Sequence, residues 1–391
     1  MTAFGLYVHI PFCPQHCPYC AFAVLTGHTD LYDRYVDAVC TEIRSWQHLA
    51  PKGPLSTVFF GGGTPSMLEP GQVQRILGTA AATLGLLSDA EITLEANPST
   101  ADAARFAGFK DIGCNRLSLG VQAWNDADLK TLGRLHTAAD AEHAYATARE
   151  AGFANVNLDV IFSIPGAPRG HWEHTLQRLI ALRPEHVSTY SLTIEEGTRF
   201  AQRSQQGRLQ PVSEEDDAWA YTRAMEALAA AGYEQYEVSN FARPGYRSRH
   251  NWGYWHGAEY LGVGLSAHSF LDGRRRWNTC HVRQYIAHLE AGETPGAGEE
   301  VLDAATARQE QVWLQLRTCE GTVLEAAELA LLQHWPKFQG LLEAGLMQLE
   351  TRRLRLTQRG LLLADAIGLE VLDRLENSAP RAVRGDLCGV A

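Results

Sequence analysis

The chain has 391 residues, 45% of them hydrophobic and 20% charged, a globular mixture that excludes a mainly disordered or collagen-like protein. Its 34 basic and 45 acidic residues leave a net charge of −11, which argues against nucleic-acid binding through a general basic field. No apolar run approaches the roughly 20 residues that cross a bilayer. The first residues also lack the basic and long apolar regions of a signal peptide, so a cytoplasmic protein with no integral membrane segment is expected.

Residues 6–10 read as a strand that stops just short of a group of cysteines, and 30–50 as a helix. Residues 56–60 form a β-branched and aromatic strand closed by three glycines, with a helix at 72–84. Strands at 91–94 and 116–121 follow, then a helix at 138–151 stopped by Gly152, a strand at 157–162, a helix at 169–182 and a sixth strand at 186–192. This alternation predicts an α/β fold with a parallel sheet and helical crossovers. Six units suit an incomplete (βα)6-type barrel better than a closed one of eight strands. One more helix covers 213–232.

The expected division is a barrel over 1–232, an aromatic-polar extension closing it over 233–295, and a C-terminal domain over 300–391. A Gly-, Pro- and Glu-rich linker is expected at 292–300. The last region reads as three helices (304–316, 324–332, 335–344) and a hairpin at 346–356 around Arg352-Arg353, a winged-helix-like pattern. Arg352, Arg353 and Arg355 suit phosphate contact. Against the net charge, the wing is read as packing on its own chain, with no nucleic-acid partner.

Of eight cysteines, Cys40, Cys114, Cys280, Cys319 and Cys388 are scattered, while Cys13, Cys17 and Cys20 form C-x3-C-x2-C directly after the first strand. One tight cluster without an export signal fits a reduced compartment and a metal site, not a disulfide framework. Three thiolates on one loop hold three irons of a [4Fe–4S] cube and leave the fourth iron open. A structural zinc site needs four protein ligands, and His16 would be an awkward fourth between two of the cysteines. A buried triplet without metal is the remaining alternative.

The spacing is identified as the signature of the radical S-adenosylmethionine (SAM) superfamily. Tyr7-Val-His-Ile-Pro-Phe-Cys13, Phe60-Gly-Gly-Gly-Thr64-Pro-Ser66, Glu95-Ala-Asn97-Pro98, Gly120-Val-Gln122 and Asn157-Leu-Asp159 resemble the oxygen-independent coproporphyrinogen III oxidase-like branch over nearly the whole chain. Within that branch the chain resembles the heme chaperones. The resemblance implies that SAM binds the open iron and is cleaved on reduction to a 5′-deoxyadenosyl radical, chemistry that belongs to the cofactor. It also implies that Tyr7 and Tyr19 line the cluster and SAM, that Gly62, Gly63 and Thr64 touch the methionine part, and that Glu95 binds at the SAM site. Gln122, Arg134 and Asp159 would line a neighbouring pocket, where the oxidases take a second SAM.

Read without the resemblance, the glycines let backbone approach a ligand but also suit a plain tight turn. Glu95 suits a solvated strand end, and Arg134 a surface charge. Asp159 lies in an apolar strand and needs a partner, for which Arg134 is the candidate.

The segment Arg249-His250-Asn251-Trp252-Gly253-Tyr254-Trp255-His256 matches the H-N-x-x-Y-W signature of the heme chaperones. A neutral imidazole ligates heme iron, and aromatic rings pack on a porphyrin face. The resemblance implies that His250 ligates or positions heme, with Asn251 orienting the imidazole and Trp255 covering the ring. The alternative is an aromatic loop closing the barrel, with His250 hydrogen-bonded; His268 is read as structural.

Two departures separate the chain from the oxidases. Phe22 stands where they carry a fourth cysteine, and only 12 residues precede Cys13, where they have a longer segment that closes over substrate. The expected function is a heme chaperone that passes heme to an acceptor such as a respiratory cytochrome. It would carry a SAM-bound cluster, as a homodimer by family resemblance. The alternatives are a radical SAM enzyme acting on coproporphyrinogen III, and a cluster-sensing interaction protein working through its winged helix. No catalytic residue is singled out.

Overall fold

The computed structural model describes residues 4–376; Cys388 lies outside them. The chain divides into two compact units, one ending at Asp303 and the next beginning at Ala304. The first unit opens with β1 (Gly5–Ile10), α1 (Tyr32–Ser45), β2 (Leu55–Gly62), α2 (Pro70–Leu84), β3 (Leu86–Ala96), α3 (Ala103–Asp111) and β4 (Arg116–Gln122). It continues through α4 (Asp126–Thr131), α5 (Ala138–Glu150), β5 (Val156–Phe162), α6 (Arg169–Leu182), β6 (His186–Ser191), α7 (Arg199–Gln205) and α8 (Glu214–Ala230). It ends with β7 (Glu234–Gln235), β8 (Asn240–Ala242), α9 (Arg249–Trp255), β9 (Tyr260–Val263), β10 (His268–Leu271), β11 (Arg274–Asn278), α10 (Val282–Glu290) and β12 (Gly296–Val301).

All twelve strands join one open sheet in the order β12-β11-β10-β9-β1-β2-β3-β4-β5-β6-β8-β7. The six strands β1 to β6 run parallel in chain order, so the α/β partial barrel expected from the alternation is the observed architecture. Residues after α8 extend the sheet on both flanks. β8 lies antiparallel beside β6, and β9 lies parallel beside β1.

Helix starts follow local chemistry. Thr137 and Asp140 form a reciprocal capping box on α5, and the Ser213 hydroxyl accepts from the third amide of α8, satisfying amides that have no partner within the helix.

Each parallel strand alternates between two faces. One carries Leu6, Val8, Ile10, Val58, Phe60, Ile92, Leu94, Leu117, Leu119, Leu158, Val160 and Val187, all buried in the main core. The other is polar and set in rows by the register. Gly5 stands beside Thr57 and Thr57 beside Glu91. Tyr7, Phe59, Thr93 and Arg116 form the next row, then Glu95, Ser118, Asn157 and His186, and Gly120, Asp159 and Ser188 the last. Parallel sheets covered on both faces usually read as continuous apolar runs. A polar face here marks a lumen built for something other than packing.

The linker expected at 292–300 is instead mostly strand. β12 pairs antiparallel with β11, and its Glu299 and Glu300 face Arg274, Arg275 and Arg276 across the ladder. Composition suggested a connector, but cross-strand pairing decided the conformation.

The second unit contains α11 (Ala304–Leu316), β13 (Thr322–Val323), α12 (Ala326–Gln333), α13 (Pro336–Glu343), β14 (Met347–Glu350), β15 (Arg353–Leu356), α14 (Gln358–Leu361) and α15 (Ala364–Glu376). Its three-stranded sheet has the order β13-β15-β14, as in a winged helix. Arg353 donates to the Glu320 carbonyl, and Arg355 to Gln348 and Glu350, so these wing arginines are held by their own chain. No helix among the described residues is long and apolar enough to cross a membrane.

Candidate cluster and cofactor site

The end of β1 delivers the cysteine loop to the edge where parallel strands present their ligand-binding ends. The loop is closed at its neck: the Cys13 amide donates to the Leu25 carbonyl at 2.9 Å, and the Leu25 amide to the Pro11 carbonyl at 2.7 Å. His9, the penultimate residue of β1, reaches the Ala23 carbonyl with Nε2 at 3.0 Å and the Tyr7 hydroxyl with Nδ1 at 3.1 Å. From the far side the Phe200 amide of α7 donates to the Pro18 carbonyl at 2.9 Å. The Thr64 hydroxyl lies 3.3 Å from Cys13 Sγ, and the Arg134 guanidinium 3.8 Å from Cys17 Sγ.

The glycine run packs the strand end against this loop. A Cβ on Gly63 would stand 2.8 Å from the backbone of Pro11 and Phe12. One on Gly62, where φ is +108°, would enter the His9 ring. The Gly62 amide donates to Glu95 Oε2 at 3.1 Å.

Burial, and then the neighbouring sulfurs, push the Cys13 thiol up to about 11, and burial raises Cys20 as well. Without metal these sulfurs stay protonated, so metal binding would release protons. Among the described residues no three His, Cys, Asp or Glu side chains gather round a single metal-ion position. A cube instead takes separate thiolates, one per iron, and three cysteines on one loop fit three of its four irons. His16, the residue a zinc site would need, points Nε2 at the Cys20 carbonyl, 3.0 Å away.

Across the lumen, burial and the charge of Asp159 push the Glu95 carboxyl up to about 8. Burial raises Asp159 too. Two partly buried carboxylates share the edge with the guanidiniums of Arg116 and Arg134. The edge thus presents groups of both signs, and SAM, which carries a carboxylate beside its sulfonium and ammonium groups, has a partner for each.

The structure does not pair Asp159 with Arg134. The register puts Asp159 beside Gly120 and Ser188, where Ser118 and Asn157 each donate to it at 2.8 Å. Arg134, beyond α4, donates to the Gly120 carbonyl at 2.8 Å. Gln122 ends β4 with φ at +69°, after a register shift. Tyr19 packs toward Phe200, with centroids 6.2 Å apart.

The H-N-x-x-Y-W segment forms the short helix α9 at the opposite end of the lumen. Its first two amides donate to the Glu91 carboxylate, both at 3.1 Å. His250 is 4% exposed. Its Nδ1 lies 2.7 Å from the Thr57 hydroxyl and its Nε2 2.8 Å from the Tyr254 hydroxyl. Burial and the Arg116 charge push its imidazole down to about 3. Thr57 and Tyr254 therefore orient the ring, and the backbone N–H of Asn251 donates to the Ser248 hydroxyl that caps the helix. The imidazole stacks on Phe59 at 5.2 Å, and Phe59 on Tyr7 at 6.2 Å. Trp255 ends the helix, partly buried. His268 is exposed and stacks on Trp277.

The sequence reading gave no role to His9, Thr57, Glu91 or Arg116. Their signal was the alternation of polar and apolar residues along strands that pair in parallel.

The radical SAM superfamily pattern matches residues 7–179. The fold is shared with the solved coproporphyrinogen III oxidase HemN of Escherichia coli at a TM-score of 0.79, with 24% identity over 95% of this chain and 90% of that one. Fold and site thus define a radical SAM protein, a class built on a [4Fe–4S] cluster and SAM. Heme chaperone HemW of Lactococcus lactis is 35% identical, covering 92% of this chain and 95% of its own. Heme chaperone HemW of Synechocystis is 41% identical over 75% of this chain and 73% of its own. The chain belongs to the HemW heme-chaperone family.

Proposed function

We propose that this protein is a heme chaperone: it holds heme and passes it to an acceptor protein such as a respiratory cytochrome, with a SAM-bound [4Fe–4S] cluster attached. Cys13, Cys17 and Cys20 would hold three irons. Tyr7, Tyr19, Gly62, Gly63, Thr64 and Glu95 would form the first SAM site, and Gln122, Arg134 and Asp159 its continuation along the sheet edge. The observation that carries the reading is the near end-to-end match to heme chaperones, together with the H-N-x-x-Y-W helix at the floor of the lumen. Bound, the cluster and SAM supply one-electron chemistry. The residues of the chain hold, orient and shield them.

On this reading α9 is the heme segment. Both nitrogens of His250 are engaged, so ligation requires the Tyr254 hydroxyl to leave Nε2. Trp255 then covers the ring. Oxidation of coproporphyrinogen III is the second reading, favoured by the intact SAM-edge residues. Phe22 counts against it, because it stands 61% exposed where the oxidases carry a further cysteine. The setting is a reducing compartment such as the cytoplasm, and the homodimer implied by the resemblance is tested by comparing solution mass with and without the cluster.

The experiment is anaerobic reconstitution of the full chain with iron, sulfide, SAM and heme. Wild type should retain heme through a desalting column, His250→Ala should lose most of it, and His268→Ala should retain it. Replacing any of Cys13, Cys17 or Cys20 by Ala should abolish the visible cluster absorbance. Growth of an oxidase-deficient strain on this chain alone would transfer the assignment to the second reading.

A further inference from the structure

A line of buried side chains crosses the polar face and ends on Asp159. Asn157 and His186 are register partners on β5 and β6. His186 Nδ1 lies 2.6 Å from Asn157 Oδ1, and His186 Nε2 lies 2.7 Å from the Tyr236 hydroxyl. Asn157 Nδ2 lies 2.8 Å from Asp159 Oδ1 and 2.7 Å from Ser118 Oγ. Ser118 Oγ is in turn 2.8 Å from Asp159 Oδ2. Tyr236 and His186 are 0% exposed and Asn157 2%.

The orientation of the Asn157 amide sets the direction of the other bonds. The structure turns the Asn157 amide nitrogen, with its two protons, toward Asp159 and Ser118. Its Oδ1 is therefore an acceptor, so His186 Nδ1 carries the ring proton and Nε2 accepts from Tyr236. Ser188 adds a second donor to Asn157 Oδ1 at 3.2 Å. Ser118 receives from Asn157 and donates onward. All bonds run toward Asp159, and both of its oxygens receive a donor. Donors to both oxygens stabilise the carboxylate more than the acid.

We propose that Asn157, His186 and Tyr236 are positioning residues that hold Asp159 as an ionised acceptor, aimed at a hydrogen-bond donor of the bound nucleoside cofactor. The proposal rests on the SAM-site reading. The groups facing Asp159 are Glu95 from β3, Arg116 and Ser118 from β4, Asn157 on its own strand, and His186, Ser188 and Tyr190 from β6. Burial favours the neutral acid; the Ser118, Ser188 and Asn157 donors and the Arg116 charge favour the anion. Remove the line, and the balance moves toward the acid.

The test is SAM affinity of the anaerobically reconstituted full chain, by equilibrium dialysis across about pH 5.5–9. Affinity should fall as Asp159 gains its proton. His186→Phe keeps a ring but loses both bonds. It should move that fall up by about one pH unit, with about tenfold weaker binding in the interval. His186→Gln, which can donate and accept, should recover part of the shift. Ser118→Ala removes a donor at Asp159 itself and should move the profile the same way, which keeps the test open if His186→Phe folds poorly. Wild-type iron content with an unmoved pH profile in both variants overturns the proposal. Wild-type SAM affinity in Asp159→Asn would instead overturn the placing of Asp159 at the SAM site, on which the proposal rests.

Discussion

The cluster loop owes its placement to residues that carry no metal-binding group. Gly63 has no side chain, and that is its contribution: a Cβ there would stand 2.8 Å from the Pro11 and Phe12 backbone, which cannot yield as a flexible side chain would. Gly63→Ala should therefore cost about 1–3 kcal/mol and lower iron incorporation in parallel, because β2 and the loop must part. Melting temperature and iron content of Gly63→Ala, beside a Gly78→Ala control in open space, decide the matter. Stability and iron content equal to wild type would leave the glycine as a ligand-facing turn only. At this scale the cysteines were legible because their spacing is itself the chemistry. Arg116 and His9 were not, since a lone base in a strand and a histidine between apolar neighbours have ordinary structural roles until the register shows what they face.

At the scale of elements, α9 and β12 are where local sequence said least. The aromatic segment has no helical apolar periodicity, and its seven residues are too short to hold a helix on propensity alone. The Glu91 carboxylate supplies what the sequence lacks, by accepting the first two amides. His250→Ala would leave the Thr57 and Tyr254 hydroxyls facing a cavity, at a cost of about 2–4 kcal/mol. Heme retention by this variant must therefore be read beside its melting curve. β12 is the opposite case, with linker composition but strand pairing. Limited proteolysis should spare 296–301 until global unfolding; rapid cleavage there in the native protein would restore the linker reading. Long parallel units such as β5 and α6 were legible because apolar spacing and stop signals agree, whereas short antiparallel additions depend on partners far away in sequence.

Taken whole, the molecule buries many titratable groups, and their opposed shifts set its stability against pH. Burial pushes the Glu42 carboxyl up to about 7, Glu237 to about 7 and Glu95 to about 8. It pushes His9, His186 and His250 down. A carboxyl whose folded pKa is raised contributes stability that is full below its unfolded pKa and is lost as pH rises through the folded value. A histidine held neutral loses stability as pH falls below its ordinary 6.5. The ligand-free chain should thus be most stable near about pH 5.5, between the ordinary carboxyl value of 4.5 and the ordinary imidazole value of 6.5, and weaken on either side. Melting temperatures from acid to alkaline buffer check this; a value still climbing beyond about pH 8 would falsify it. Cationic SAM should flatten the alkaline slope by favouring ionised Glu95. The class of fold was readable from strand–helix alternation. The polar lumen was present in that same alternation, as Glu91-Ile-Thr93-Leu-Glu95 and Arg116-Leu-Ser118-Leu show, but its meaning depends on knowing that the strands are parallel and covered on both sides.

The place of β1 in the sheet bears on how the protein is made. Gly5 pairs with Thr57 on one side and with Tyr260 on the other, so β1 waits between an early neighbour and a much later one. Its second edge stays open for about 250 residues of translation, on the order of tens of seconds at about 5–20 residues per second. Throughout that interval the nascent chain carries an unpaired strand edge beside three cysteines. The second edge of β1 is covered only once β9, which ends at Val263, has been made.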